Sequence, residues 1–509
     1  MGYGAPMGTP LLMGVDVGTS STKGCLTTTA GAVAATAERP HQIDIPRPGW
    51  AEQDPDGWWS DLQAVSRDLL RQVKGGTVAA VSASGMGPCV VLTDARGRVL
   101  RPAILYGIDS RATNEIAELN ERFGAGAILE RSGSPLTTQS VGPKLAWVAR
   151  HEPEVWKDAT NVFTTSSFLA YRLTGATCLD HSTASQWGPL YDLRAGRWNA
   201  AWAEQVAPGL ALPDLRWPAD IVGRVTPEAA QATGLPEGIP VASGSLDTRM
   251  EAVAAGVRAP GDGMVMYGTS IFLLAMVERA DPDPHLWSTI GLTPGSFAMA
   301  AGMATGGALT SWFRRLVGSG APDFAALEEE AAGAVPGSGG LVVLPYFAGE
   351  RTPLFDPDAR GLVIGLTVHH DRGEFYRSLL EGVAYGVRHN LDTLDAAGAR
   401  PERLVAVGGG TRGLLWPRIV SDVTGMAQEV AMHPGGAAIG DARIAGIAAG
   451  LVDPNEPWPV ETVTVTPDLA NRELYDAGYR VYRELYPATK AAMHALARQL
   501  PEPGPAPTM

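Results

Sequence analysis

The sequence predicts an α/β protein built as two similar lobes around a cleft. Three observations carry this. A strand–turn–strand pattern with Gly-Thr-Ser at its turn occurs twice, at Val15-Asp16-Val17-Gly18-Thr19-Ser20 and at Met266-Tyr267-Gly268-Thr269-Ser270, once in each half. Strands and helices then follow in a similar order in both halves, as in mixed α/β layers. The chain has 509 residues, beyond the roughly 250–300 at which a single core stops growing. The lobes are expected over 10–245 and 246–495, with flexible tails at 1–9 and 496–509.

Residues 11–37 read as paired strands flanking the first turn. Asp54-Pro55 opens a helix that runs to residue 73, with Trp58, Trp59, Leu62, Val65 and Leu69 at helical spacing. A short buried strand at 78–83 ends in the small-residue turn Ser84-Gly85-Met86-Gly87-Pro88. Residues 89–93 and 99–100, joined by a turn at 94–97, read as a hairpin, and 111–210 as mostly helical. Apolar Val241-Ala242 meets Ser243-Gly244-Ser245 at the expected lobe boundary. The strand programme restarts at Asp262. After the second hairpin come a helix (306–317), a strand (340–344), a helix (371–394), a strand (404–407) and a helix (414–424).

Composition narrows the function. A hydrophobic content of 45% and a mean hydropathy of +0.00 describe a soluble globular chain. The formal charge of −14 argues against a nucleic-acid partner, which calls for a basic face. No apolar run reaches the roughly 18–20 residues that span a bilayer, so no membrane partner is expected. Residues 1–10 lack the basic segment and apolar core of a signal peptide. Three cysteines, Cys25, Cys89 and Cys178, make no disulfide framework. A reducing cytoplasm is expected; a homodimer is left open. The proline-rich stretch 501–507 is expected to be disordered.

Each Gly-Thr-Ser turn offers close backbone approach and hydroxyl donors, the chemistry that holds a phosphate. Two of them suit one polyphosphate gripped from both sides. Asp16, two residues before Gly18, suits Mg²⁺, which takes one or two carboxylates together with phosphate oxygens. Lys23 follows five residues after Gly18 and is either a phosphate contact or a surface lysine. Asp247, in the break between lobes, is either a general base for a substrate hydroxyl or the cap of a following helix.

Gly408-Gly409-Gly410-Thr411-Arg412-Gly413 follows a strand and precedes a helix, the context of a dinucleotide fingerprint. Glu429 lies near the spacing of its ribose-binding acid, although inside the next strand, 427–432. The same turn suits the adenosine of ATP. The pattern G-x-x-x-x-G-K-[ST] is absent. His369 and His370 are adjacent in sequence and point to opposite faces of an extended segment, which makes a poor metal site. Trp58, Trp59, Trp147 and Trp156 read as core or cleft wall.

With these residues in place, the chain resembles the FGGY carbohydrate kinases, above all their xylulokinase branch, from about Leu12 to beyond Gly450. The resemblance rests on Asp16 to Ser20, Gly49-Trp-Ala-Glu-Gln-Asp54, Lys144-Leu-Ala-Trp147 with His151 to Trp156, and Tyr171-Arg-Leu-Thr-Gly175. It rests further on Leu344-Pro-Tyr-Phe-Ala-Gly-Glu-Arg-Thr-Pro353, Gly361 to Glu381 and Gly408-Gly-Gly410. It implies two actin-like ATPase (ribonuclease-H-like) domains around a central cleft. It also implies ATP with Mg²⁺, and phosphoryl transfer to a hydroxyl of a small sugar, a pentulose such as D-xylulose. Asp247 is then the catalytic base, and Asp16 and Asp247 the metal-associated carboxylates. Gly18, Thr19, Ser20, Ser21 and Lys23 line one side of the phosphates and Gly268 and Thr269 the other, while Gly307, Gly409 and Gly410 meet the adenosine.

The sugar pocket departs from the branch. Xylulokinases usually carry Gly-Gln-Met-His-Gly where this chain has Gly85-Met86-Gly87-Pro88-Cys89, so Pro88 replaces a donor. Their Asp-Asn pair becomes Asp247-Thr248, and Trp-x-Asp-x-Arg becomes Gly107-Ile108-Asp109-Ser110-Arg111, with Tyr106 beside the missing indole. Losing a polar contact of this kind changes selectivity by orders of magnitude. Met86, Gly87, Pro88, Tyr106, Asp109, Gln139, Asp247 and Thr248 are the expected substrate-side residues. Another ketose, a polyol or an aldonate is the alternative substrate. A nicotinamide oxidoreductase and a non-catalytic sugar sensor are the alternative functions.

Overall fold

The computed structural model describes residues 8–318, 322–432 and 436–499. Two sheets dominate. The first contains β1 (Pro10–Val17), β2 (Ser21–Thr28), β3 (Val33–Pro40), β4 (Thr77–Gly85), β5 (Ile221–Arg224) and β6 (Pro240–Ala242), in the order β5-β6-β4-β1-β2-β3. Helix α1 (Pro55–Gln72) packs on β2 and β3. Asp54 caps it by accepting from the Asp56 amide, Pro55 sits at its start, and the predicted Trp58, Trp59, Leu62, Val65 and Leu69 are its buried face.

Helix α2 (Asp247–Ala254) leads into the second sheet. That sheet contains β7 (Asp262–Tyr267), β8 (Ile271–Val277), β9 (Trp287–Ile290) and β10 (Phe297–Met303). After helices α3 (Gly307–Leu316) and α4 (Arg372–Ala396) come β11 (Arg403–Val407), α5 (Leu415–Thr424), β12 (Gln428–Ala431), α6 (Gly436–Ala448) and β13 (Thr462–Val465). The order is β9-β10-β8-β7-β11-β12-β13.

The repeat legible in the turns extends to the pairing. In the first sheet β1 pairs antiparallel with β2, β2 antiparallel with β3, and β1 and β6 parallel with β4. In the second, β7 pairs antiparallel with β8, β8 antiparallel with β10, and β7 and β12 parallel with β11. The two Gly-Thr-Ser turns therefore occupy equivalent corners, between β1 and β2 and between β7 and β8. This is the two-domain actin-like, ribonuclease-H-like α/β fold.

Two local features go beyond the sequence reading. Val91–Thr93 turns back on residues 99–100 as expected, through the bridge Thr93–Val99 and the Leu100 amide on the Leu92 carbonyl, and it also pairs with Asn161–Phe163. Residues 91–93 are fully buried, and a short turn-back segment alone does not cover them. Helix α6 has no counterpart in the sequence reading. Its alanine- and glycine-rich stretch has no polar stripe, because it is buried between β1 and β4 on one side and α2 on the other. Glycines permit that closeness. A Cβ on Gly14 of β1 would stand 1.8 Å from the Ala438 carbonyl oxygen, and one on Gly440 of α6 1.9 Å from that of Met250.

The last helix, Arg472–Ala497, continues past residue 495. The disorder expected at 501–507 lies outside the described residues. Among the described residues no helix is long and apolar enough to cross a membrane.

Candidate active site

A cavity of about 90 Å³ opens between the lobes. Met86, Gly87, Tyr106, Gln139 and Gln186 line it from the first lobe. Ser270, Trp287 and Arg351 are among the residues that line it from the second, and Asp247, Thr248 and Arg249 line it from the connecting helix α2. Both glycine turns adjoin it. Ser270 of the second turn is part of its wall, and Thr19 of the first lies 3.2 Å, hydroxyl to hydroxyl, from Tyr106.

The first turn is braced from behind. The Gly18 amide donates to the Ser21 carbonyl, Gln53 Nε2 to the Thr19 carbonyl at 2.9 Å, and His41 Nε2 lies 2.8 Å from the Gly18 carbonyl. The second turn rests on the start of α3. The Gly307 amide donates to the Gly268 carbonyl at 2.8 Å and the Ala308 amide to that of Thr269 at 3.0 Å. Gly409 and Gly410 leave β11 beside Tyr267, whose ring meets Trp416 edge-on at 5.4 Å. Gly268, Thr269, Gly307, Gly409 and Gly410 thus cluster on the second lobe. Ser20 is exposed and Ser21 begins β2.

Asp247 is the first residue of α2, with Leu246 in the cap position and no side-chain cap. The capping role considered for Asp247 is therefore not the one it has. Its Oδ1 accepts from the Thr248 amide at 2.7 Å, and Oδ2 meets no donor among the described residues. Asp16 is the penultimate residue of β1 and accepts from Ser84 Oγ at 3.1 Å. Glu251, one turn after Asp247 on α2, and Asp441 on α6 complete an acidic group that the sequence reading missed.

Burial drives these carboxyls upward first. The Asp247 charge adds to the effect at Asp16, the Glu251 charge at Asp247, and the Asp16 charge at Glu251, which is pushed up to about 7. Lys23 opposes the rise at Asp16, directly across the β1–β2 pair, although its ammonium lies 3.9 Å from Glu38 on β3. Glu251 has a readable signal, being four residues from Asp247 and so on the same helix face. Asp441 has one too, as a lone carboxylate among alanines and glycines.

Several expected substrate residues take other parts. Asp109 is 1% exposed and does not line the cavity. Its oxygens are taken by the Ala51 amide at 2.7 Å and by Arg111, whose Nη2 also lies at 2.7 Å. Pro88 is buried behind Met86 and Gly87 and is likewise absent from the wall. Gln139 lines the cavity but spends its amide as a brace, accepting from the Gly107 amide and donating to the Gly87 carbonyl, both at 3.0 Å. Lys144, fully buried, donates to the carbonyls of Leu105 and Tyr106 and so holds Tyr106 in place.

The dinucleotide reading fails at Glu429. Its carboxylate is paired with Arg403 at 2.7 Å, at the start of β11. Gly408 follows the other end of that strand, five residues and roughly 16 Å away at the ~3.3 Å rise of a strand. His370 is occupied by Thr367 and Gly339, and Asp371 caps α4. Among the described residues, no group of three or more His, Cys, Asp or Glu side chains forms a metal cage. Trp58, Trp59 and Trp147 are buried in the core, and Trp156 packs against it.

The same arrangement is found in known proteins. Residues 11–254 match the N-terminal domain of the FGGY family of carbohydrate kinases and residues 263–449 its C-terminal domain. The chain is 31% identical over 491 residues to a xylulose kinase of Escherichia coli K12, covering 94% of this chain and 98% of the relative. It is 29% identical over 500 residues to a xylulose kinase of Lactococcus lactis, covering 95% and 98%. The crystal structure of a xylulose kinase from Rhodospirillum rubrum superposes with a TM-score of 0.87 at 36% identity, covering 95% of this chain and all of that one. Twin glycine turns, one carboxylate with a free oxygen in the cavity between them, and family matches across both halves lead to one conclusion: the chain belongs to the FGGY family of carbohydrate kinases.

Proposed function

We propose that this carbohydrate kinase transfers the γ-phosphoryl group of ATP to a hydroxyl of a small polyhydroxylated acceptor, with Asp247 as general base. Residues 10–245 and 246–495 act as the two lobes. The observation that carries the reading is Asp247 itself, in a cavity walled by both lobes, with one carboxylate oxygen that meets no donor among the described residues. The acceptor O–H gives its proton to that oxygen as the new O–P bond forms and the bond to the leaving ADP breaks. Tyr106, Gln139 and Thr248 orient the acceptor. A pentulose such as D-xylulose is the acceptor that the relatives' names suggest.

The donor set suits Mg²⁺. Asp16 and Asp247 are hard oxygen ligands, and Mg²⁺ completes its shell with phosphate oxygens and waters rather than with a closed protein cage. When bound, it neutralises charge on the polyphosphate. Asp16 would be kept in orientation by Ser84, and the braced turns at Gly18 and Gly268 would receive the phosphates. Closure of the lobes would exclude water from the transfer.

The reading predicts that Asp247→Ala keeps ATP binding, measured by calorimetry, and loses acceptor-dependent ADP release by about 10³-fold or more. Turnover near that of the unaltered protein would refute it.

A further inference from the structure

Resting on the kinase reading above, we propose that the acceptor carries a carboxylate, so that the substrate is a polyhydroxy acid whose carboxylate is received by Arg249. Arg249 lies two residues after Asp247 on α2, lines the same cavity and is 2% exposed. Its Nη2 donates to Thr289 Oγ1, and Thr289 in turn donates to the Ala298 carbonyl at 3.1 Å, which fixes the guanidinium against the wall. Its Nε and Nη1 have no hydrogen-bond partner among the described residues. Two more donors of the same wall, Arg351 Nε and Trp287 Nε1, are unmet among the described residues.

A buried cation left unpaired is costly. Among the described residues no carboxylate bonds Arg249. Asp180, the acidic group that acts on it most, spends Oδ1 on the Thr183 amide and the Ser245 hydroxyl; its Oδ2 bonds no group among the described residues and forms no ion pair with Arg249, and burial favours the neutral form of the acid. Glu350, beside Arg351, accepts from the Ala304 and Arg351 amides, and burial pushes it up to about 7. Asp247 is committed to the reacting hydroxyl.

Neutral hydroxyls would meet the unused N–H groups but not the charge. A ligand carboxylate meets both, and its planar shape matches a guanidinium. The transfer step is unchanged: a hydroxyl elsewhere on the acid attacks phosphorus, ADP leaves, and Asp247 takes the proton.

The test is acceptor-dependent ADP release over matched pairs. D-xylonate and D-gluconate are compared with D-xylulose, D-ribulose, xylitol and sorbitol, and with D-xylulose 5-phosphate as the phosphate-bearing anion. The proposal expects kcat/KM for an aldonate at least about tenfold above every neutral acceptor and above the sugar phosphate. In Arg249→Met the ratio of acid to neutral kcat/KM falls about 100-fold, chiefly through KM for the acid, and Arg249→Lys restores part of it. Preference for a neutral acceptor or for the sugar phosphate in the unaltered protein overturns the proposal and leaves the kinase reading standing. So does an unchanged ratio in a folded Arg249→Met. If that variant does not fold, the unaltered protein's preference decides alone. Absence of ADP release with every acceptor overturns both readings.

Discussion

Asp16 and Asp441 lie on either side of one hydroxyl. Ser84 Oγ is 3.1 Å from Asp16 Oδ1 and 2.5 Å from Asp441 Oδ2. A hydroxyl has a single hydrogen to donate, so one of the two carboxyls must be protonated and donate to Ser84. Asp441 is the one. It is fully buried, it also accepts from Ser82, and burial raises it well above the usual carboxylate range. The protonated Asp441 donates to Ser84, and Ser84 donates to the Asp16 carboxylate. A residue of α6, late in the chain, thereby orients a carboxylate on β1.

This relay separates two substitutions. Asp441→Asn keeps a neutral donor of the same shape and is expected to retain ADP release within about threefold. Asp441→Ala frees Ser84 and is expected to raise the Mg²⁺ concentration needed for half-maximal activity by about tenfold or more. Equal loss in both variants would mean that the Asp441 charge, rather than its hydrogen bond, is what matters.

The crowded acids give stability an unusual pH dependence. Glu251 is pushed up to about 7 by burial first and by the Asp16 charge second, against an unfolded value near 4.3. A raised carboxyl binds its proton more tightly when folded. Its contribution is therefore complete below about pH 4 and is lost as pH rises through about 7. Thermal unfolding without nucleotide should show the unaltered protein losing stability relative to Glu251→Gln between pH 5 and pH 8, by on the order of 1–3 kcal/mol. Parallel curves would contradict the assignment.

Helices α6 and α2 pack tightly where a glycine allows it. A Cβ on Gly440 would stand 1.9 Å from the Met250 carbonyl oxygen, so α6 and α2 must separate in Gly440→Ala. A loss of about 1–3 kcal/mol in denaturant unfolding is expected, with a raised KM for ATP because Asp441 moves with α6. Gly126→Ala, where a Cβ has nothing within 4 Å, is the matched control and should leave both unchanged.

The sequence was a good guide wherever local chemistry decides structure. The twin turns, α1 with its Asp54 cap and apolar face, and the strand before Gly408 all lie where the spacing places them. It was a poor guide to partners far apart in the chain. Arg249 gives no periodic signal, since a residue two after Asp247 falls on another part of the helix face. The motif around Asp109 points it to the sugar side, yet Ala51 and Arg111 use its oxygens. Pro88 replaces a donor in the motif but stands behind the wall rather than in it.

By itself the chain determined two α/β halves, a Gly-Thr-Ser turn in each and the carboxylate between them. Hydrogen-bonding turns and side-chain periodicity are short-range and are written in neighbouring residues. Only the tertiary structure decided which acids share Ser84, that α6 closes on β1, and that the Arg249 guanidinium stands unpaired in the cavity wall. Those depend on packing between segments up to some 400 residues apart, as between β1 and α6, where burial removes water and makes each unmet charge or donor count.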